Sequence, residues 1–153
     1  MKYEVDILEA PARHLAVTRF SAPPAEIGEQ MGRAFGIVMS YAAAHGIHTE
    51  GPAVAYYVRK DGSFDVSAGF PVTNPMATDR EVVPFDLPAR EVARTTHIGG
   101  YERLMEAYRE LHREVERRGR VLDEDVMWEE YWSGPEVPEA EHRTVVFWPL
   151  QPA

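Results

Sequence analysis

Phe70-Pro71-Val72 and Trp148-Pro149-Leu150 decide the reading of this chain, because each closes a similar run of residues. Phe64-Asp-Val-Ser-Ala-Gly leads into the first and Arg143-Thr-Val-Val-Phe into the second, and both runs suit extended strands. Further upstream, Pro11-Ala12-Arg13 returns as Pro88-Ala89-Arg90, so the two blocks begin 77 residues apart and end 78 apart. The chain reads as a duplication.

Each block has the same internal order. In the first, Arg13–Phe20 is extended, and Ser21-Ala-Pro-Pro offers a helix start with Ser21 as its cap. Ile27, Met31, Ala34, Phe35, Val38, Tyr41 and Ala42 then recur at helical spacing until Gly46. Asp61-Gly62 joins Ala53–Arg59 to Phe64–Val72 as a hairpin. In the second block Glu91–His97 is a strand and Gly99-Gly100 a turn. Tyr101, Leu104, Tyr108, Leu111 and Val115 mark one helix face up to Gly119, and Val126–Trp132 with Arg143–Trp148 forms the second hairpin. Matching the hairpins sets Tyr57 against Tyr131, with Tyr56 as the one-residue alternative. Repeat 1 spans about 11–72 and repeat 2 about 88–150. The linker 73–86 holds a short edge strand at Glu81–Val83, and residues 3–9 add a strand ahead of repeat 1. Duplicated strand-helix-hairpin (βαββ) units predict an α+β fold: one antiparallel sheet with two helices on one face and a ligand groove at the seam.

The chemistry is concentrated in Val126-Met127-Trp128-Glu129-Glu130-Tyr131-Trp132-Ser133-Gly134-Pro135. Side chains alternate along a strand, so Met127, Glu129 and Tyr131 share one face while Trp128, Glu130 and Trp132 share the other. One glutamate must therefore point inward, and a buried carboxylate needs a cationic or hydrogen-bonding partner. We assign Glu129 to the inner face. Two readings of its partner stand: a bound organic cation, or an internal arginine such as Arg94 or Arg143.

Composition narrows the function classes. The chain has 153 residues, enough for one well-buried domain, and no cysteine, which excludes thiolate metal sites and thiol nucleophiles. No apolar run approaches the ~20 residues of a membrane span, and the N-terminus lacks a signal-peptide pattern, so a soluble cytoplasmic protein is expected. The formal charge is −9, and Asp123, Glu124, Asp125, Glu129, Glu130, Glu136, Glu139 and Glu141 fall in one stretch without a basic residue. Direct nucleic-acid binding is disfavoured there. His45-Gly-Ile-His48 is broken by a helix-ending glycine, so no metal is expected; no cofactor motif, nucleophile elbow or helix-turn-helix is present.

Phe64–Val72, Thr96–Tyr108, Trp128–Pro135 and Arg143–Leu150 together resemble the GyrI-like small-molecule-binding domain, also the effector-binding module of multidrug-responsive bacterial activators. The resemblance runs from about Arg13 to Leu150. It implies a duplicated fold whose groove takes hydrophobic, often cationic compounds, with Glu129 and Tyr131 at the groove floor and Tyr57, Tyr101, Trp128 and Trp148 lining it. Ser133-Gly134-Pro135 departs from relatives that carry an acidic residue before the proline. Binding for sensing, sequestration or resistance is the favoured function, with a separate regulator protein as a possible partner. The alternatives are hydrolysis of cyclopropane-type electrophiles, with Glu129 as general base assisted by Tyr57 or Tyr131, and gyrase inhibition.

Overall fold

The structure, a computed structural model, describes residues 3–73, 81–133 and 136–152. In chain order its elements are β1 (Asp6–Ala10), β2 (Arg13–Ala22), α1 (Ile27–His45), β3 (Ala53–Lys60), β4 (Ser63–Pro71), β5 (Val83–Leu87), β6 (Arg90–Ile98), α2 (Leu104–Arg117), β7 (Val126–Tyr131) and β8 (Arg143–Pro149). The chain divides into a first unit, Ala12–Pro88, and a second, Met1–Pro11 with Ala89–Ala153. The first holds the antiparallel order β3-β4-β2-β5 and the second β1-β6-β8-β7, each with one helix packed on its sheet. The duplicated α+β architecture is present.

The two edge strands are exchanged between repeats. β1 precedes repeat 1 but pairs with β6 of repeat 2, Ile7 opposite Ala93. β5 precedes repeat 2 but pairs with β2 of repeat 1, Leu15 opposite Phe85. The linker expected at 73–86 thus carries a longer and later strand than Glu81–Val83, and its Pro84 suits an edge where one N–H can be missing. Residues 74–80 of that linker, and Gly134 and Pro135 of the departing motif, lie outside the described residues.

Ser21 is not a helix cap. β2 runs on to Ala22 because Ser21 faces Asp65 of β4 and donates a hydrogen bond to its Oδ1 at 2.5 Å. A 3-10 turn at Pro24–Glu26 then leads into α1, which ends on Gly46 at φ 64°. That left-handed φ is the conformation glycine adopts without a Cβ penalty. α1 buries Met31, Ala34, Val38 and Ala42, and α2 buries Leu104, Ala107, Leu111 and Val115. On α2 the like-charged glutamates are relieved by Arg103–Glu106, Arg113–Glu110 and Arg117–Glu114 pairs. Among the described residues no helix is long and apolar enough to cross a membrane.

Two glycines give opposite tests of this packing. A Cβ on Gly69 of β4 would lie 1.8 Å from the backbone oxygen of Ala16, whereas one on Gly32 of α1 meets nothing within 4 Å. Gly69→Ala is expected to destabilise by about 1–3 kcal/mol, and Gly32→Ala to stabilise by about 0.5–1 kcal/mol. Thermal unfolding checks both, and a Gly69→Ala protein as stable as the wild type would contradict the β2–β4 register.

Candidate functional site

The second unit builds its site on the face of β6, β8 and β7 that α2 covers. Register places three rows there: His97-Thr144-Tyr131, then Thr95-Val146-Glu129, then Ala93-Trp148, with Met127 packed against the same core. Period-two alternation alone puts Glu129 among these side chains. It is 2% exposed, and α2 delivers Tyr108 above it. Tyr131 Oη donates to Glu129 Oε1 at 2.6 Å, and Tyr108 Oη donates to Glu129 Oε2. Burial pushes the Glu129 carboxyl above the ordinary carboxylate range, while the two tyrosine hydroxyls pull it back down.

Among the described residues no arginine is paired with this carboxylate. Arg94 pairs with Asp6 at 3.2 Å, and the Arg143 guanidinium lies 5.0 Å from the Trp132 ring centroid. Both candidate cations are thus engaged elsewhere in the second unit, and among the described residues no ion pair reaches Glu129. Its hydrogen-bond partners are tyrosines, which carry no positive charge.

The residues proposed from sequence fall into two groups. Tyr131, Tyr101 and Trp148 gather around Glu129. Tyr101 meets Tyr131 edge-on at 6.0 Å and the His142 ring at 5.8 Å, and is 49% exposed. Burial of its inner part and the Glu129 charge together raise its hydroxyl pKa. Trp148 meets Tyr108 edge-on at 5.5 Å and His112 at 4.4 Å. Trp128 does not join them. It is stacked on Phe147 at 5.4 Å, on the face of β7 opposite Glu129, where Glu130 accepts a hydrogen bond from Trp132 Nε1 at 3.1 Å. Tyr57 belongs to the first unit, where it meets Phe64 edge-on and donates toward Met31 Sδ at 4.0 Å. Tyr56 contacts Phe85 instead, so of the two tyrosines it is Tyr57 that reaches the helix.

Tyr108, Thr144 and His112 escape a reading by helical and strand periodicity, which marks Tyr108 only as a core position. The internal repeat carries the missing signal, since Tyr108 stands 77 residues after Met31. His112 Nδ1 donates to the Tyr108 carbonyl at 2.8 Å and so fixes the ring against which Trp148 packs. A cleft of about 290 Å³ opens in the same unit at the start of α2, lined in part by Tyr3, His97, Gly100, Glu102 and Arg103, and Glu129 is not among its walls. There Tyr3 Oη donates to His97 Nδ1 at 2.9 Å and His97 Nε2 donates to the Gly100 carbonyl at 2.9 Å, which uses both ring nitrogens. Among the described residues no group of three or more His, Asp or Glu side chains is arranged to hold a metal ion.

Comparison with known proteins agrees with the fold. A family profile described as the GyrI-like small molecule binding domain matches residues 3–151. The crystal structure of the EcmrR C-terminal domain is similar at 22% identity and a TM-score of 0.82, with 100% of both chains covered. The cryo-EM structure of an EcmrR–DNA complex is similar at 22% identity and a TM-score of 0.80, covering 99% of this chain and only 58% of that one. SAV2435 bound to tetraphenylphosphonium is similar at 12% identity and a TM-score of 0.67, covering 99% and 94%. No match is found among the curated proteins.

The raised Glu129 carboxyl carries a stability consequence. The folded state holds this proton more tightly than the unfolded chain, so the group's contribution is fully present below the ordinary carboxylate range. It is lost as pH rises through the raised value. Glu129→Gln removes the charge and keeps an acceptor, so it is expected to stabilise the ligand-free protein at neutral pH by roughly 1–3 kcal/mol. The gain should vanish on acidification; chemical denaturation across pH checks it, and a variant destabilised at neutral pH would contradict the assignment.

Proposed function

We propose, for a chain that belongs to the GyrI-like family of small-molecule-binding domains, that the second unit binds hydrophobic organic cations with Glu129 as counter-charge. The observation that carries this reading is a fully buried carboxylate held by two neutral hydroxyls and, among the described residues, met by no ion pair. A site of that kind is electrostatically incomplete. An ammonium or phosphonium beside Glu129 gains Coulomb energy that water does not screen, and the rings of Tyr101, Tyr108, Tyr131 and Trp148 add roughly 0.5–2 kcal/mol each where a cation lies over their faces. Delocalised cations suit the site because they lose least hydration on entry. Trp128, on the opposite face of β7, would contribute through packing rather than by touching Glu129. The acidic stretch from Asp123 to Glu141 argues against nucleic acid as the partner of this unit.

Hydrolysis is the second reading, and the raised Glu129 carboxyl favours it, since a carboxylate of increased basicity is a better general base. The two readings part on the fate of the ligand. A binder returns its compound unchanged, whereas a hydrolase consumes it.

Methyltriphenylphosphonium and its neutral isostere 1,1,1-triphenylethane test the proposal, with the three tryptophans as fluorescence reporters and mass spectrometry of the recovered compounds. The cation is expected to bind more tightly than the hydrocarbon, and Glu129→Gln to weaken the cation alone by roughly 10- to 100-fold. Equal binding of both compounds, or a Glu129→Gln protein that binds the cation as the wild type does, would contradict the counter-charge. A product mass from a reactive cyclopropane given to the wild type would favour the hydrolase.

A further inference from the structure

The internal repeat supplies a control for every residue around Glu129. Register fixes the equivalences: Tyr57 lies opposite Val66 as Tyr131 lies opposite Thr144, and Ala55 lies opposite Ala68 as Glu129 lies opposite Val146. On the helices Met31 corresponds to Tyr108 and Phe35 to His112, and on the hairpins Phe70 corresponds to Trp148. The Phe35–Phe70 ring pair at 5.7 Å takes the place of His112–Trp148. The first unit therefore builds the same helix-on-sheet packing with Met31, Phe35, Ala55, Val66 and Phe70, all apolar. The second unit has Tyr108, His112, Glu129, Thr144 and Trp148 at those positions. The fold does not require polarity there.

Three of the five introduced polar groups find partners and two do not. Glu129 and Tyr108 bond each other, and His112 bonds a carbonyl. Thr144 Oγ1 and Trp148 Nε1 are buried, at 0% and 8% residue exposure, with no hydrogen-bond partner. An indole N–H can only donate, and leaving a buried donor unmet costs about 1–3 kcal/mol. Val, which matches Thr in shape, and the smaller Phe are the other repeat's own choices, and both would avoid that cost. Both orphans flank the carboxylate: Thr144 and Trp148 lie two residues to either side of Val146, the residue opposite Glu129, which sets each about 7–8 Å from it on the sheet.

We propose that the Glu129 site recognises cations that also carry a hydrogen-bond acceptor, which Trp148 Nε1 meets as donor and Thr144 Oγ1 meets as a second contact. This rests on the cation reading above and narrows it to a ligand class: lipophilic cations bearing a carbonyl or ether oxygen a few bonds from the charge. The orphaned pair discriminates against purely hydrocarbon cations, because only an oxygen-bearing ligand satisfies groups that are otherwise buried unpaired.

Two probes differing in one oxygen test it, (4-oxopentyl)triphenylphosphonium and pentyltriphenylphosphonium, titrated by calorimetry against the wild type, Thr144→Val, Trp148→Phe and the double variant. The wild type is expected to prefer the ketone by roughly 5- to 10-fold, the equivalent of one hydrogen bond. The preference should shrink in each single variant and disappear in the double variant. Both substitutions copy the other repeat, and Thr144→Val, which changes only the hydroxyl, carries the test if Trp148→Phe does not fold. Binding of both probes without preference, or a preference that survives Thr144→Val and the double variant unchanged, would overturn the acceptor subsite and leave the cation reading standing. Failure of both probes to bind the wild type would overturn the two together.

Discussion

A carboxylate taken fully out of water is the constraint on which this molecule's second unit turns. Glu129 sits beneath α2 with Tyr108 and Tyr131 donating to its two oxygens, and everything near it is arranged around that clamp. Tyr108 requires α2 to lie in one rotational setting above β7, and Tyr131 requires β7 to keep its alternation through two further residues. His112 holds the next turn of the helix by its bond to the Tyr108 carbonyl, and Trp148 fills the space beside both rings. Two hydroxyl donors moderate the cost of burial without supplying a charge. The result is a carboxyl whose proton affinity is raised by burial.

The duplicated architecture makes such a site tolerable. Each unit has its own helix, sheet and apolar core, and the first unit shows that the packing closes with alanine, valine, methionine and phenylalanine at the positions in question. The second unit departs from this on the sheet face beneath α2. Its remaining core, Val5, Ala93, Leu104, Ala107, Leu111, Val115, Val146 and Leu150 among others, is apolar. Edge strands drawn from outside each repeat complete the four strands of each unit, so strand order does not follow chain order at either edge.

Much of this was legible in the chain. Helical spacing located both helices, with Gly46 and Gly119 at their ends, and the 78-residue return of Phe-Pro-Val as Trp-Pro-Leu revealed the repeat. Alternation put Glu129 and Tyr131 on one face and Trp128 on the other. Other features depend on contacts between distant residues, which local pattern does not encode. Ser21 looked like a cap because serine before prolines favours one, yet a strand partner at Asp65 holds it in β2. The edge strands at 3–9 and 81–83 were read as strands, but their partners were not, because which sheet edge each joins depends on a distant neighbour such as β2 or β6. Tyr108 was visible as a helix-face residue, and only its height above β7 makes it a donor to Glu129. Thr144 was an ordinary strand residue and Trp148 one of several groove-lining aromatics until their buried polar atoms proved unmet.

The central claim is that the Glu129 carboxyl is the charge a bound cation answers, and the most direct measurement is the ionisation of that carboxyl itself. Carbon-13 NMR of the Glu129 side-chain carboxyl, followed through a pH titration, reports it in the free protein and with saturating tetraphenylphosphonium. The account predicts a midpoint above the ordinary glutamate range in the free protein and a fall of the midpoint when the cation is bound. A midpoint that does not move on binding would mean that the cation and Glu129 do not meet.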